Sequence, residues 1–474
     1  MNLLFAASEC SPYAKTGGLG DVLAALPATL RQRGHSVSCV FPLYRGLLEK
    51  LPNAELTPLE LSIPLGGATV SGRIWKARAE NGLPLFLVQQ NEFFDRDSLY
   101  GLPLDFPDNA GRFLFFSKAV VELARHLSPL PQVIHCNDWQ TGIIPALVKA
   151  QGLPFKTVYS IHNLAFQGSF PAADFGLTNL PGEYFSAPGV EYYGTLNLMK
   201  AGIVLADQVT TVSPRYAEEI QTESVGCGLD GVLRAHKGKL TGILNGVDTA
   251  LWDPENDPAL RAPFSAESLK GKAACKDALL AEFGLEPGEG APVFGAISRL
   301  TGQKGFDLME SIVEGLLSQG ARFILLGSGE ARYESFFRTL AARYPQQVGA
   351  RIGFDEALSH RIIAGTDFFL MPSLFEPCGL TQLYSLRYGT IPVVHETGGL
   401  ANSVQDYRPE TGEGTGFTFT PYSAQAFTGA CRRALVLYED KAALQNVRRQ
   451  GMAQRFTWDE SAAAYEAIYA RLLA

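Results

Sequence analysis

Two series of short, apolar, β-branched runs alternate with longer amphipathic stretches, and a turn-rich segment separates the series. This alternation leaves few options. A short run that is apolar at every position must be buried on both faces, and the amphipathic stretches supply the helices that cover it. In the first series, 2–7 ("NLLFAA") reads as a buried strand, 19–33 ("LGDVLAALPATLRQR") as a helix ended by Gly34, and 36–42 ("SVSCVFP") as the next strand. Further strands are expected at 85–89, 131–136, 156–161 and 208–212. Helices are expected over 110–126 and 141–150, the second weakened by Pro145.

The rhythm stops at 245–260 ("NGVDTALWDPENDPAL"), which is dense in turn residues. A helical stretch runs on to Leu285, and "EPGEGAPVFGAISRL" then opens a strand at 292–298. The second series continues at 322–327, 350–354, 366–372 and 390–396. The pattern predicts an α/β protein of two doubly wound, Rossmann-like domains, 1–245 and 290–455, with a connecting segment over 246–289. A chain of 474 residues accommodates two such cores. A final amphipathic helix over 456–474 places Trp458, Ala462, Tyr465, Ile468 and Leu472 on one face. Ligands of open α/β sheets bind beyond the carboxyl ends of the strands, so a cleft shared by two such domains is the expected site.

Composition narrows the partners. A formal net charge of -8 disfavours a general nucleic-acid binder. The seven cysteines are scattered without a C-x-x-C pair, which suits a reducing, cytoplasmic compartment. No apolar run of about 18 residues offers a membrane span, and the first residues lack the basic start of a secretory signal.

The motifs at strand-to-helix turns carry the chemistry. In "AASECSPYAKTGGLGDVLAAL" a strand leads through Lys15, Gly17 and Gly18 into a helix. Glycine amides and a helix N-terminus suit a phosphate, and Lys15 adds charge. The same stretch also reads as a tight loop with a solvated lysine. "ISRLTGQKGFD" sets Arg299 and Lys304 across a turn after the first strand of the second series. Two cations there suit a leaving diphosphate, or simply face solvent. In "SLFEPCGLTQLYSLRYGTIPVV", Gly379, Leu380 and Thr381 begin a helix with free amides. Glu376 can accept from sugar hydroxyls there, and Cys378 reads as a reactive thiol or, more simply, a packed small residue. "VIHCNDWQTG" and "YSIHNLAFQG" end strands with Asp138, His162 and Asn163, and "ILNGVD" puts Asn245 at the domain junction. His135, Cys136 and Asp138 lack zinc-ligand spacing, so no metal is expected.

Taken in order, "SPYAKTGGLGDV", "HCNDWQTGIIP", "SIHNLAFQG", "VTTVSPRYAEEI", "GLDGVL", "GILNGVD", "SRLTGQKGFDL", "PSLFEPCGLTQLYSLRYGTIPVV" and "TGGLANSV" resemble the bacterial glycogen synthase and plant starch synthase family. These are retaining glucosyltransferases of the two-domain GT-B type, and the likeness spans nearly the whole chain. The resemblance implies ADP-glucose as donor, the non-reducing end of an α-1,4-glucan as acceptor, and no cofactor or metal. It implies that Lys15, Gly17 and Gly18 face the donor and that Arg299 and Lys304 neutralise its diphosphate. Gly379, Leu380 and Thr381 would offer amides to the distal phosphate, and Glu376 would bind the transferred glucose. His162 would lie beside that glucose, and Phe354 would stack on adenine. Asp21, Asp138, Asn163, Asn245 and Cys378 would make further substrate contacts. The final helix would return to the first domain.

Two features depart from what relatives often carry, His395-Glu396 before the second "TGGL" and Asn402 after it. The broader retaining-transferase pattern of two glutamates eight apart is incomplete, with Tyr384 eight residues beyond Glu376, as is usual for this synthase group. A sucrose-type or other UDP-sugar transferase on the same fold is the nearest alternative. A nicotinamide enzyme would need G-x-G-x-x-G after a strand, and "GSGEAR" at 327–332 fails at its last position. A non-catalytic relative would have lost some of Lys15, Arg299, Lys304 and Glu376, and all four are present.

Overall fold

The computed structural model describes residues 1–101, 104–285 and 290–474. The chain divides into two compact units, Met1–Asn245 with Trp458–Ala474, and Gly246–Thr457. The segment expected as a connector, 246–289, thus falls in the second unit, and its last four residues, 286–289, lie outside the described residues.

The first unit contains strands β1 (Asn2–Ala6), β2 (Ser36–Pro42), β3 (Glu55–Leu65), β4 (Ala68–Arg78), β5 (Pro84–Gln89), β6 (Val133–Asn137), β7 (Lys156–Ile161), β8 (Ser169–Pro171), β9 (Glu191–Tyr192), β10 (Thr195–Asn197), β11 (Gln208–Thr211) and β12 (Leu240–Gly242). Its main sheet runs β12-β11-β7-β6-β1-β2-β5-β4-β3. From β12 to β5 every pairing is parallel. The strands β4 and β3 extend the sheet as an antiparallel hairpin. That hairpin was not anticipated, because β3 carries Pro58 and Pro64 and alternates exposed polar with inward apolar positions. Prolines and outward charge are what a protected sheet edge displays, and they mask a strand in the sequence.

The helix Gly18–Gln32 shows how local chemistry is balanced. Leu19, Val22, Leu23, Leu26 and Leu30 face the core at helical spacing. Pro27 lies inside the helix and has no amide hydrogen, so the carbonyl of Leu23 loses its usual donor. The thiols of Cys10 and Cys39 approach that carbonyl at 3.9 Å and 3.8 Å. Burial raises both thiols, Cys10 to about 12, which makes them packing groups and weak donors rather than nucleophiles. Pro145, by contrast, falls in the first turn of the helix Ile144–Ala150, where a missing amide costs nothing.

The helix Trp458–Leu473 belongs to this first unit. It buries Trp458, Ala462, Tyr465, Ile468 and Tyr469. Arg33 grips Glu466 through Nε (2.9 Å) and Nη2 (2.7 Å), and His35 Nε2 reaches the same carboxylate at 2.8 Å. Tyr469 contacts His135 Nδ1 at 2.7 Å, while His135 Nε2 meets Ser160 Oγ at 2.6 Å.

The second unit holds β13 (Val293–Ile297), β14 (Arg322–Gly327), β15 (Val348–Ile352), β16 (Phe368–Met371), β17 (Ile391–His395) and β18 (Phe417–Phe419). They form one parallel sheet in the order β15-β14-β13-β16-β17-β18. In chain order this is 3-2-1-4-5-6, the Rossmann arrangement. The order reverses between β13 and β16, and in the first unit between β1 and β6. Loops at those two reversals are where an open sheet offers room for a ligand.

Candidate functional site

In the first unit, Glu9 follows β1 and Asp138 follows β6, one on each side of the reversal. Glu9 is 4% exposed. Its carboxylate accepts from the Thr16 amide (2.7 Å), the Thr16 hydroxyl (2.6 Å), the Gly17 amide (3.1 Å) and the Tyr100 hydroxyl (2.8 Å). The amides at the start of the Gly-Gly turn, expected to face a bound anion, therefore already hold the protein's own carboxylate. Lys15 Nζ pairs with Asp21 Oδ1 at 2.7 Å, and its stem packs where a Cβ on Gly20 would lie, 3.2 Å from Lys15 Cγ. A Cβ on Gly17 would meet no atom within 4 Å, so packing does not demand that glycine. Glu9 went unread in the sequence. The available signal was an acidic residue at a strand's carboxyl end, seven positions before a Thr-Gly-Gly helix start.

Asp138 has a left-handed φ of 56°, unusual for a residue with a side chain. That turn points Oδ1 at the amides of His162 (2.7 Å) and Asn163 (3.4 Å), so Asp138 sets the loop after β7. Burial pushes its carboxyl up to about 7, with the Glu9 charge adding and the two amides opposing. His162 Nε2 lies 2.9 Å from Asn137 Oδ1. Asn137 Nδ2 donates to the carbonyls of Ala6 and His135, which fixes its amide with the oxygen toward His162. His162 is neutral at ordinary pH, since burial lowers it to about 4. Its proton thus resides on Nε2, and Nδ1 is an acceptor. His135 is different: it is buried, held low at about 3, and both nitrogens are taken up internally. Asn245 is buried at the end of this unit.

In the second unit the loop after β13 carries Arg299 and Lys304, and the loop after β16 carries Glu376. Lys304 Nζ lies 2.7 Å from Glu376 Oε2, which also accepts from Ser373 Oγ at 2.9 Å. The two loops touch directly. Gly305 has φ 76°, and a Cβ there would sit 2.0 Å from the Pro372 carbonyl. His395 Nδ1 donates to the Ser373 carbonyl at 2.8 Å, so this departure from the family pattern braces the Glu376 loop. The second diglycine has the same purpose. A Cβ on Gly398 would lie 1.9 Å from the Glu376 carbonyl, and one on Gly399 2.0 Å from that of Cys378. It seats a loop, whereas Gly17 of the first diglycine opens onto space.

Arg299 is exposed, and no side chain among the described residues pairs with it. The amides of Gly379, Leu380 and Thr381 have no acceptor among the described residues, in contrast to the turn that Glu9 fills. Cys378 is buried behind them. Phe354 stands just beyond β15 and is 81% exposed. Tyr384 stacks on Trp252 (3.9 Å, 8°), whose other face stacks on His360 (3.7 Å, 11°). The position eight beyond Glu376 is therefore part of the core packing. Among the described residues, no group of three His, Cys, Asp or Glu side chains is arranged to hold a metal.

Residues 2–235 match the family described as "Starch synthase catalytic domain", and residues 281–450 match "Glycosyl transferases group 1". The glycogen synthase of Opitutus terrae is 46% identical over 99% of both chains. Those of Koribacter versatilis (45%, covering 99% of this chain and 98% of the relative) and Bacillus cereus (44%, covering 100% of both) are similar to it. The chain belongs to the glycogen and starch synthase family. It is a glucosyltransferase acting between a nucleotide sugar and a glucan. Among solved structures, the catalytic domain of starch synthase IV from Arabidopsis thaliana, bound to ADP and acarbose, superposes with a TM-score of 0.91 at 35% identity over 99% of both chains. A sucrose-phosphate synthase from Thermosynechococcus elongatus shares the fold alone, at TM-score 0.63 and 16% identity over 100% of this chain and 99% of the other. The two-domain GT-B fold expected from the motifs is thus the fold of the family. Among the described residues, no helix is long and apolar enough to cross a membrane.

Proposed function

We propose that this chain is a cytoplasmic glycogen synthase that uses ADP-glucose. It transfers glucose to the non-reducing 4-hydroxyl of an α-1,4-glucan with retention of the α configuration and releases ADP. Neither a nucleic acid nor a membrane takes part. The observation that carries this reading is the anion-ready turn of the second unit. Three amides without acceptors open the helix after β16, and the loop after β13, which touches that segment through the Lys304–Glu376 pair, carries the unpaired Arg299. A diphosphate leaving group needs that concentration of donors without a metal. The exposed ring of Phe354 suits stacking on adenine, and the starch synthase IV relative carries ADP.

In this reading Glu376 holds the transferred glucose through the oxygen not shared with Lys304. His162 Nδ1 accepts from a sugar hydroxyl, and Lys15 turns from Asp21 toward the donor. Charge accumulates on the departing phosphate, so fixed cations there stabilise the transition state more than the ground state. Catalysis then proceeds through an oxocarbenium-like state without a named protein nucleophile. The test is incorporation of label into glycogen from ADP-glucose and, separately, from UDP-glucose. Incorporation from ADP-glucose is expected. Incorporation from UDP-glucose alone would transfer the assignment to a UDP-sugar transferase, and none from either would end it.

A further inference from the structure

The hairpin formed by β9 and β10 closes on two residues, Tyr193 and Gly194, since Tyr192 pairs with Thr195. Both have positive φ, 46° and 78°, the pattern of a type I′ turn. Such a turn favours Asn, Asp or Gly at its first position, and a tyrosine there carries backbone strain. Packing does not offset that strain. Tyr193 is 88% exposed, the most exposed large hydrophobic side chain among the described residues. Among the described residues its ring meets one other ring, that of Tyr192, edge to face, with centroids 4.6 Å apart at 74°.

The surroundings hold the turn that carries this ring in place. Glu191 Oε1 accepts from the Gly194 amide at 2.7 Å, and Thr195 Oγ1 donates to the Tyr192 carbonyl at 2.7 Å. The Tyr192 hydroxyl donates to the Gly228 carbonyl. Gln167 ties three segments together: its Nε2 donates to the Cys227 carbonyl (2.8 Å), and its Oε1 accepts from Asn197 Nδ2 (2.8 Å). Gln167 follows Phe166, whose ring is 53% exposed in the loop that begins with His162. Two exposed rings therefore stand on segments fastened to one another and to the candidate site of the first unit.

We propose that Tyr193, with Phe166, is a stacking platform for the α-1,4-glucan chain, separate from the groups that handle the reacting ends. The glucan identity rests on the function proposed above. A pyranose ring has an apolar face of C–H groups edged by hydroxyls, and a flat aromatic ring with polar neighbours matches it. The residues on either side of these rings are Tyr192, whose hydroxyl is spent on the Gly228 carbonyl, Gly194, Ala165 and Gln167, and neither ring belongs to a run of exposed large apolar side chains of the kind a protein partner requires. The strained turn presents a ring that the fold itself does not use, and strain of this kind gathers at binding sites.

The test is mobility in native gels containing glycogen, without donor, for wild type, Tyr193→Asn and Tyr193→Trp. Asparagine suits the turn, so Y193N should unfold at the same or a higher temperature than wild type. It should nevertheless lose glycogen affinity by about tenfold, the scale of one lost stacking contact, and its KM for glycogen should rise in step. Y193W should bind as well as wild type. Y193N retarded like wild type overturns the platform, as does a loss of retardation that merely follows a lower melting temperature. If wild type makes polymer while Y193N is unaffected, the platform alone falls. If wild type is neither retarded nor makes polymer, both readings fall.

Discussion

Lys304 Nζ lies 2.7 Å from Glu376 Oε2, and the two side chains come from loops on opposite sides of the strand-order reversal in the second unit. The pair is largely shielded, at 19% and 6% side-chain exposure. It joins the group assigned to the diphosphate with the group assigned to the glucose. The same contact therefore sets both ends of the donor. Because Glu376 neutralises Lys304, the net positive charge of this turn rests on Arg299 until an anion arrives.

Replacing Lys304 by alanine removes one of the cations proposed for the diphosphate and leaves Glu376 with Ser373 as its remaining side-chain donor among the described residues. Turnover should fall by about a hundredfold or more in K304A and in R299A, the scale of one lost charge stabiliser. Because Lys304 and Glu376 touch, the loss in K304A/E376Q should be clearly smaller than the sum of the single losses. Steady-state kinetics on the four proteins of the cycle decides this. Unchanged kcat in either single cation variant removes that residue from the mechanism.

Glu9 takes four donors on one buried carboxylate, and a glutamine can offer only one oxygen to them. With that oxygen on the Thr16 and Gly17 amides, its NH₂ meets the Thr16 and Tyr100 hydroxyls, which must turn to accept, and the negative charge that strengthened all four bonds is gone. Glu9→Gln should therefore cost about 2–4 kcal/mol in urea unfolding, while Tyr100→Phe, which gives up a single donor to Glu9, should cost about 1 kcal/mol. Turnover of E9Q should fall by about tenfold or more, because Lys15 is carried by the turn that Glu9 seats. Equal stability of E9Q and Y100F would show that the carboxylate is not what holds the turn.

Most of the parallel strands were legible because they are apolar at successive positions, as a strand covered on both faces must be, whereas the three-residue edge strands β12 and β18 were too short to stand out. The 322–327 run is observed as Arg322–Gly327, and 156–161 as Lys156–Ile161. Strand β3 was not legible, since an edge strand with prolines and outward polar groups reads as loop. At the site, the residue types at strand ends pointed to Lys15, Asp138, His162, Arg299, Lys304 and Glu376. Their pairings could not be read. Residue types alone do not say that the Gly17 amide is already taken by Glu9, eight residues upstream, or that Tyr384 stacks on Trp252. The first depends on how a single loop folds back on itself and the second on the packing of segments far apart in the chain, and sequence spacing encodes neither.

Asp138 should give the enzyme its pH dependence near neutrality. Its carboxyl is raised to about 7, so it is protonated below and ionised above that value. The ionised form accepts the His162 and Asn163 amides more strongly and fixes that loop. kcat should therefore rise through about pH 7 and level off. His162, lowered to about 4, stays neutral throughout and adds no limb there. In Asp138→Asn the inflection should vanish along with most of the activity. A pH–rate profile of D138N that keeps the inflection would assign it to another group.

His135 should make the fold sensitive to acid. Its folded pKa is depressed to about 3 by burial, with the neighbouring His162 adding a little. An unfolded chain takes up that proton as pH falls through about 6.5, while the folded chain takes it only near the lower value. Stability linked to this group is thus fully present at neutral pH and declines as pH falls from there. The slope approaches about 1.4 kcal/mol per pH unit for one proton. Other groups titrate in the same range, including His162, so the informative quantity is a difference between two proteins. His135→Gln keeps a donor and an acceptor for Tyr469 and Ser160 but cannot be protonated. It should be less stable than wild type at neutral pH and lose less on acidification, by close to one proton's slope between roughly pH 6 and 4. Urea unfolding at a series of pH values measures both lines. Parallel lines would mean that the buried imidazole takes its proton equally in the folded and unfolded chains, against the enclosure that Tyr469 and Ser160 impose on it.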